Sequence, residues 1–287
     1  MSMKPRDTNA SPPRVTALTR CQAAAFRDNV YRWYRANSRP LPWRETNDPY
    51  AILVSEIMLQ QTQVDRVIGK YASFLALFPD FAALAKATLH EVLNAWQGLG
   101  YNRRAIALKR CAETVMESHG GNLPGSVETL QTFPGIGHYT ARAVAAFAFG
   151  RPSVFIETNI RAVFIHHFFE ERQRVKDSEI LPLVEATLDR NDPRSWYNAL
   201  MDYGTMLKRS HDNPARRSAH HIRQAPFRGS NREIRSRILK TLIATPHLTE
   251  RGIIALLGID EEKIRFNLAQ LEKEGFVGKQ RDSIVIL

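Results

Sequence analysis

Ten successive helical patterns constrain the fold of this chain most. Apolar residues recur every three to four positions, the spacing of one buried face of an α-helix. The predicted helices cover residues 20–36, 50–62, 64–77, 88–97, 102–118, 126–132, 138–149, 159–169, 177–189 and 193–208. Strand-like alternation is scarce before the last twelve residues. The sequence therefore predicts a mostly α fold, and 44% hydrophobic residues in a chain of 287 are enough to build a sizeable core.

The composition changes after Leu207, where basic residues become dense and large apolar residues rare. The basic residues of this stretch are Lys208, Arg209, Arg216, Arg217, Arg223, Arg228, Arg232, Arg235 and Arg237. We interpret residues 208–231 as a basic linker that follows a main domain over 17–207. Residues 1–16, with three prolines, are interpreted as a flexible tail.

A small second unit is predicted over 232–287. Two amphipathic helices, the second with a Thr249 cap and a Gly258 stop, precede a third helix and a hairpin-like segment, FVGKQRDSIVIL. Three helices and a wing are typical of a winged helix-turn-helix, whose third helix contacts DNA. Here that helix carries Asp260, Glu261, Glu262, Glu272 and Glu274. DNA contact and a packing role therefore stay equally open for this unit.

The chain is strongly basic, with a net charge of +11 and a sequence pI of about 9.9. This charge favours a polyanionic partner, first of all nucleic acid, over a basic protein without such a partner. The two cysteines, Cys21 and Cys111, lie far apart, which excludes a disulfide framework and suits a reducing cytoplasm. Cys111 falls on a helical apolar stripe and is expected in the core. No apolar stretch is long enough to predict a membrane span.

Residues 123–150 hold two predicted helices joined by PGIG. Gly135 and Gly137 permit a tight turn that exposes backbone amides at the N-terminus of the second helix, next to His138. Such an arrangement binds phosphate. An ordinary helix–helix turn is the alternative, and the basic charge of the chain favours the phosphate site.

The segment VSEIMLQQT, residues 54–62, has the pattern of a buried helix that contains a carboxylate, Glu56. Apolar residues flank Glu56 on both sides. Burying an unpaired carboxylate is costly, and burial favours its protonated form. Glu56 is therefore a candidate general acid.

The segment VFIETNIRAV, residues 154–163, places Glu157 at the start of a predicted helix. The free amides and the helix dipole there favour the ionised carboxylate, so a lowered pKa is predicted. A plain helix cap is the alternative for Glu157 taken alone. With Glu56, however, it forms a protonated and an ionised carboxylate, the combination that cleaves a bond to a sugar carbon through a cationic transition state.

Five segments together resemble the helix-hairpin-helix (HhH-GPD) DNA glycosylases, and among them the A/G-specific adenine DNA glycosylases. They are RPLPWR…DPYAILVSEIMLQQTQV, GLGYNRRA, FPGIGHYTARAV, IETNIRAV and ALMDYG, in family order within residues 39–207. The resemblance implies a two-lobed helical fold, followed here by the small winged-helix-like unit. It also implies that the enzyme flips the target base out of the duplex, because the glycosidic bond is unreachable inside the stack.

The resemblance also implies roles for individual residues. Glu56 matches the general acid that protonates the leaving base, and Glu157 and Asn159 fall in the catalytic set. The loop entering the duplex carries Gln60 and Gln61, the intercalating tyrosine is Tyr101, and the base pocket is lined by Arg39, Trp43 and Asp202. Gly135, Gly137 and His138 belong to the DNA-binding hairpin. Arg216 and Arg217 are expected to contact phosphates.

Tyr139 occupies the position at which lyase-competent relatives carry a Schiff-base lysine. That chemistry needs an amine nucleophile. Tyr139 therefore implies a monofunctional enzyme that leaves an abasic site and does not cut the strand by β-elimination.

Three departures from the family pattern affect these expectations. Glu157 stands where the family nearly always has aspartate, so the carboxylate reaches roughly 1.5 Å further. The four cysteines of the family's iron–sulfur cluster are replaced, on an ungapped count, by Lys208, Ala215, Ser218 and Gln224, so no cluster and no other cofactor is expected. The larger β-rich domain that recognises 8-oxoguanine in adenine enzymes is also replaced by the winged-helix-like unit.

The sequence thus predicts a monomeric repair glycosylase that acts on mismatched double-stranded DNA in the cytoplasm, at the nucleoid. Release of adenine opposite guanine or 8-oxoguanine is the preferred reading. Release of thymine or uracil from mismatches with guanine is the first alternative, because those relatives share the LPWR and LMD features. A non-catalytic DNA-binding protein is the second, and the retention of Glu56 speaks against it.

Overall fold

The structure is a computed structural model that describes residues 17–221 and 224–287. The tail predicted over 1–16 lies outside the described residues. Within the described ranges the chain forms fourteen α-helices and one three-stranded antiparallel sheet, which confirms the mostly α fold. No helix in this part of the chain is both long and apolar enough to cross a membrane.

The α-helices are α1 (Arg20–Asn37), α2 (Pro49–Leu59), α3 (Val64–Leu77), α4 (Phe81–Lys86), α5 (Leu89–Trp96), α6 (Arg103–His119), α7 (Val127–Leu130), α8 (His138–Phe149), α9 (Thr158–Phe168), α10 (Asp177–Thr187), α11 (Pro193–Ser210), α12 (Asn231–Ala244), α13 (Glu250–Leu257) and α14 (Glu261–Lys273). Two 3-10 turns cover Pro42–Arg44 and Pro214–Arg217. The strands are β1 (Leu248–Thr249), β2 (Val277–Gln280) and β3 (Ser283–Ile286), in the order β1-β3-β2. Helix α4 and strand β1 were not predicted, and α2 is shorter than predicted.

Contacts divide the described residues into two compact units. The Glu157 unit comprises residues 17–39 and 154–221, and the Glu56 unit comprises residues 40–153 and 224–287. Each unit therefore combines two separate stretches of sequence. The domain boundaries drawn from the sequence stay a prediction.

The Glu157 unit is built from α1, α9, α10 and α11 around an aromatic core. The Phe26 ring centroid lies 5.4 Å from that of Phe164 and 6.0 Å from that of Trp196. Tyr31 Oη donates to Asp189 Oδ2 over 2.9 Å, which ties α1 to the loop after α10. The start of α9, where Glu157 lies, is thus fixed by a packed helical layer.

The Glu56 unit has one continuous apolar cluster that includes both its helical part and the winged-helix-like part. Ile238 and Leu242 of α12 belong to the same cluster as Val92 and Leu93 of α5. The His90 imidazole also lies within hydrogen-bond distance, 3.2 Å, of the Ile243 carbonyl oxygen. The winged-helix-like part therefore packs firmly on the helices that carry Glu56.

The local signals predicted for the winged-helix-like part are confirmed. Thr249 caps α13 by accepting a hydrogen bond of 3.1 Å from the Gly252 amide, and Gly258 ends it with a left-handed φ of 60°. Strands β2 and β3 pair as the expected hairpin, with Gly278 opposite Val285. Three helices with a hairpin wing thus form as the sequence indicates.

Candidate active site and nucleic-acid interface

Glu56 lies inside α2, a helix that is buried along most of its length. Asp48 caps the helix by accepting from the Tyr50 and Ala51 amides over 3.1 Å, and Pro49 opens it. Every residue from Tyr50 to Met58 is buried, and Glu56 itself is 8% exposed. The predicted burial of Glu56 is confirmed, while its role as an acid stays a prediction.

The two glutamines after α2 form a turn rather than a continuation of the helix. The side-chain amide of Gln60 donates to Thr140 Oγ1 over 3.0 Å, which joins this turn to helix α8. Gln61 is exposed and has a left-handed φ of 56°. The turn therefore presents Gln61 outward while Gln60 fixes its base.

Arg104 organises this turn, and the sequence analysis missed it. Its guanidinium donates to the carbonyl oxygens of Ile57 (2.8 Å), Met58 (2.8 Å), Gln60 (2.5 Å), Leu99 (3.3 Å) and Gly100 (3.0 Å), and to the Thr62 hydroxyl (3.0 Å). Burial lowers the pKa of Arg104 to about 10, so the side chain remains charged at neutral pH. A single buried cation thus closes the end of α2 against the loop before α6.

Tyr101 lies in that second loop and also has a left-handed φ, of 48°. The Arg104 guanidinium carbon is 5.4 Å from the centroid of its ring. The Tyr101 hydroxyl accepts from Gln224 Nε2 over 2.6 Å and from Arg232 Nη1 over 3.0 Å. Gln224 also donates to Gln61 Oε1 over 2.9 Å. Two of the three residues predicted to enter DNA, Gln61 and Tyr101, therefore share Gln224 as a hydrogen-bond partner.

The PGIG hairpin joins α7 to α8 as predicted. Gly135 has a φ of 78°, and a Cβ there would lie 2.7 Å from Ala107 Cβ, so both backbone and packing require glycine. A Cβ at Gly137 would meet nothing within 4 Å, which leaves open space in front of α8. No side chain caps this helix, and His138 at its start is exposed and accepts from Arg142 Nε over 3.0 Å. An open, uncapped helix N-terminus of this kind favours an anion.

Two further predicted site residues lie in the Glu56 unit. Trp43 is 8% exposed and its ring meets the Tyr71 ring edge-on at 5.5 Å. The Tyr71 hydroxyl is buried and has no hydrogen-bond partner among the described residues. Tyr139 is the second residue of α8 and is partly exposed.

Glu157 is the N-cap of α9 in the other unit. Its Oε1 accepts from the Asn159 amide over 2.5 Å and from the Ile160 amide over 2.9 Å. The Asn159 side chain lies between Glu157 and Lys208, since its Nδ2 is 3.4 Å from Glu157 Oε2 and its Oδ1 accepts from Lys208 Nζ over 3.0 Å. The predicted helix N-terminus is confirmed. The sequence analysis counted Lys208 as a basic linker residue and a lost cysteine position, and it missed that this lysine lies near the Glu157 carboxylate.

The predicted direction of the Glu157 pKa shift is wrong. Burial raises the pKa of this carboxyl group, and it outweighs the amide hydrogen bonds, Lys208 and Arg161, which all lower it. The side chain keeps some solvent exposure, but its carboxylate is densely surrounded by protein atoms. A helix N-terminus was visible in the sequence, whereas this degree of burial was not.

Arg39 and Asp202, both predicted to line a base pocket, are brought together in the Glu157 unit. Asp202 is 2% exposed and accepts from Arg39 Nε over 2.6 Å and from the Arg39 amide over 2.9 Å. Two residues further along α11, a Cβ at Gly204 would overlap the Asn159 carbonyl. Gly204 therefore permits the close approach of α11 to the start of α9.

Hydrogen bonds connect the segment after α11 to the end of α9 and to Val175. Arg217 donates to the carbonyl oxygens of Phe169 (2.5 Å) and Glu170, at the end of α9. Ala219 donates to the Val175 carbonyl over 2.8 Å. Arg217 is thus engaged with its own chain, and contact of Arg216 and Arg217 with DNA stays a prediction. Among residues 17–221 and 224–287, no three His, Cys, Asp or Glu side chains are placed to share a metal ion.

Comparison with known proteins agrees with this geometry. Residues 54–183 match the family model described as "HhH-GPD superfamily base excision DNA repair protein". An adenine DNA glycosylase of Mycolicibacterium smegmatis is 34% identical over 229 residues, which cover 73% of this chain and 78% of the relative. The chain belongs to the HhH-GPD superfamily.

Other HhH-GPD relatives are matched over shorter stretches. An adenine DNA glycosylase of Mycobacterium tuberculosis is 44% identical over 136 residues, 47% of this chain and 45% of the relative. The chain therefore spans less than half the length of that relative. A thymine/uracil-DNA glycosylase of Pyrobaculum aerophilum is 36% identical over 171 residues, 58% of this chain and 74% of the relative.

Solved structures show the same HhH-GPD fold. A thermostable thymine-DNA glycosylase superposes with a TM-score of 0.57 and 26% identity, covering 64% of this chain and 86% of that chain. Endonuclease III in a non-covalent DNA complex superposes with a TM-score of 0.55 and covers 73% of this chain and 91% of that chain. At 16% identity, the second likeness concerns the fold alone.

Proposed function

We propose that this protein is a monofunctional DNA N-glycosylase that releases adenine mispaired with guanine or 8-oxoguanine. The observation that carries this proposal is Glu56, a carboxyl group buried in α2 directly before the Gln60–Gln61 turn. A protein that only binds DNA gains nothing from burying an acid there. The curated adenine DNA glycosylases support adenine as the base.

The proposed reaction uses two carboxyl groups. Glu56 donates its proton to the base, so the N-glycosidic bond breaks with its electron pair leaving on the base. Glu157 stabilises the resulting positive charge on the sugar, and electrostatic stabilisation of this kind is usually a large contribution. Water then adds to the sugar carbon and loses a proton, which leaves an abasic site.

The DNA-binding part of the proposal rests on the Glu56 unit. The Gly135–Gly137 hairpin offers open amides to a phosphate, and the Gln61 and Tyr101 side chains fill the space that the flipped base leaves. Tyr139 has no amine, so no Schiff base forms and the strand is not cut by β-elimination.

We further propose that the protein works as a monomer without an iron–sulfur cluster. Two cysteines in the whole sequence cannot supply four thiolate ligands. Arg217 and Lys208 instead bind backbone and side-chain oxygens around α9 in the segment that the cluster would occupy.

Thymine or uracil release is a second candidate, favoured by the Pyrobaculum aerophilum relative and by the thymine-DNA glycosylase fold. The deciding experiment incubates the protein with duplexes that hold A·G, A·8-oxoguanine, A·C, G·T and G·U mismatches. Half of each sample is then treated with alkali, which cuts abasic sites. The Glu56→Gln variant serves as the matched control.

We expect alkali-dependent cuts at adenine opposite guanine or 8-oxoguanine, and none with Glu56→Gln. Cuts only at thymine or uracil would establish the second candidate instead. Binding without any base release would mean a non-catalytic DNA-binding protein. Cuts that appear without alkali would contradict the monofunctional mechanism.

A further inference from the structure

The side chain of Gln224 connects two residues that the proposed function places in the DNA duplex. It donates to Gln61 Oε1 over 2.9 Å and to Tyr101 Oη over 2.6 Å. Gln61 and Gln224 are exposed, so this connection lies at the surface of the Glu56 unit. Gln61 and Tyr101 both hold left-handed backbone conformations, with φ of 56° and 48°. Such conformations persist where the surrounding structure imposes them, and they cluster at ligand-contacting sites.

Arg232 of α12 holds the same tyrosine from the winged-helix-like part. Its Nη1 donates to Tyr101 Oη over 3.0 Å, and its Nη2 donates to the Ala225 carbonyl over 2.6 Å. Its guanidinium carbon lies 6.0 Å from the ring centroids of Tyr101 and of Phe227. These contacts therefore hold the Arg232 guanidinium in one position beside Tyr101.

A partly exposed ionic contact fixes α12 in this position. Glu274, at the end of α14, accepts from Arg103 Nε over 2.7 Å and from Arg235 Nη1 over 3.0 Å. Arg103 follows Tyr101 by two residues, and Arg235 follows Arg232 by one helical turn. Hydrogen bonds from Arg103 and Arg235 lower the pKa of Glu274 to about 2, so the contact persists across the physiological pH range. The acidic third helix of the winged-helix-like part is thus used here for packing against the Tyr101 loop.

We propose that Gln224 and Arg232 are specificity-determining residues that read the base opposite the one released. This inference rests on the proposed function, because it takes Gln61 and Tyr101 to enter the duplex. When they do so, Gln224 and Arg232 are the side chains that accompany them to the opposite strand. The winged-helix-like part then contributes a side chain, Arg232, that donates hydrogen bonds to the base opposite the released one.

The chemistry of Gln224 fits a base edge better than a phosphate. Gln224 offers both an amide donor and a carbonyl acceptor, and a base edge can present both an acceptor and a donor, whereas the oxygens of a phosphate diester only accept. Arginine pairs with the O6 and N7 acceptors of guanine, and glutamine pairs with adenine. The preferred opposite base is therefore expected to be a guanine-type purine, which Arg232 contacts.

The test measures binding, so it does not depend on base release. Duplexes carry a tetrahydrofuran abasic analogue, which resists cleavage, opposite guanine, 8-oxoguanine, adenine, cytosine or thymine. Dissociation constants are compared for wild type, Gln224→Ala, Arg232→Gln and Arg232→Lys. We expect the wild type to prefer the guanine-type bases, and Arg232→Gln to reduce this preference about tenfold, the size of one bidentate base contact. Arg232→Lys keeps the charge but should also lose preference, since it lacks the planar fork.

Arg228→Ala is the matched control, because it removes one positive charge from the same basic segment without touching Tyr101. It should weaken binding to all five duplexes by one common factor. The inference is overturned if Gln224→Ala and both Arg232 variants also weaken all duplexes equally, or if the wild type shows no opposite-base preference. Melting temperatures within a few degrees of wild type exclude misfolding of the variants. If the Arg232 variants unfold, Gln224→Ala still tests the inference, because Gln224 lies at an exposed site. Failure of the proposed function is distinguishable, since it appears as absent base release by the wild type.

Discussion

Glu56 and Glu157 are held in the protein by opposite means. Glu56 lies in the middle of a helix in which every residue from Tyr50 to Met58 is buried. Glu157 lies at a helix start and receives two backbone amides, with Lys208 close by through Asn159. The first carboxyl group lies inside a buried helix, and the second is held in one orientation by backbone amides. The same residue type thus stands in two different local environments, and the proposed function assigns it a different role in each.

The largest effect is expected for Glu56→Gln, which tests one side of the comparison. General acid catalysis contributes about 10²–10⁴-fold, so single-turnover base release should fall by that factor. Binding to the abasic duplex should change little, because glutamine keeps the shape. Glu113→Gln, which removes a carboxylate from a partly buried pair with Lys109 on α6, is the control and should release base at the wild-type rate. Activity of Glu56→Gln within a few-fold of wild type would contradict the acid role.

The hydrogen bonds near the two glutamates run in opposite directions. In the helix of Glu56, the Arg104 side chain donates to backbone carbonyl oxygens, whereas at Glu157 backbone amides donate to the glutamate side chain. Arg104→Leu leaves several buried oxygens without a donor, and each unsatisfied group costs about 1–3 kcal/mol. The free energy of unfolding should fall by at least about 3 kcal/mol, measured by chemical denaturation. Arg66→Leu, at an exposed position of α3, should lower it by less than about 0.5 kcal/mol. Equal stability of the two variants would show that Arg104 does not clamp the loops.

A smaller effect is expected for Lys208→Met, read from the pH dependence of base release. Burial raises the pKa of Glu157 and Lys208 lowers it, so removal of Lys208 raises it further. Because base release needs ionised Glu157, the acidic limb of the rate profile should move to higher pH. Lys176→Met, at an exposed position before α10, should leave the limb in place. If the acidic limb of the pH–rate profile is unchanged in Lys208→Met, then Lys208 does not influence the pKa of Glu157.

The same pKa shift has a consequence for stability. A carboxyl group with a raised pKa in the folded state binds its proton more tightly than in the unfolded state. The contribution of Glu157 to the free energy of unfolding is therefore fully present at low pH and declines as the pH rises through the folded-state pKa. The burial of Glu157 thus lowers stability near neutral pH, and the amide hydrogen bonds at the helix start partly offset this loss.

Local patterns were sufficient to predict much of the fold and part of the site. The apolar run of α2 predicted the burial of Glu56, and the apolar stripe of α6 predicted that of Cys111. Gly258 predicted the end of α13. The helix predicted over residues 50–62 extends too far, because α2 ends before Gln60. Sequence periodicity does not show that Arg104 donates hydrogen bonds to the carbonyl oxygens at the end of this helix. Short α4 has too few turns to show a period.

The part of the candidate site that was not predicted depends on contacts between residues far apart in sequence. Gln224 meets Gln61 across 163 positions and Arg232 meets Tyr101 across 131, so neither contact leaves a local signal. Lys208 reaches Asn159 across 49 positions. The Glu157 pKa was misjudged for the same reason, because its dominant cause, burial, is a property of the folded chain and not of the helix start.

The most direct test of the carboxylate pair is the single-turnover rate of base release for Glu157→Gln and Glu157→Asp, on the mismatch that the wild type cleaves. Glutamine removes the charge and keeps the shape, whereas aspartate keeps the charge and shortens the reach. The account predicts that Glu157→Gln loses most activity, while Glu157→Asp retains a measurable part of it. A Glu157→Gln rate equal to that of the wild type would contradict the account, because Glu157 would then be only a helix cap.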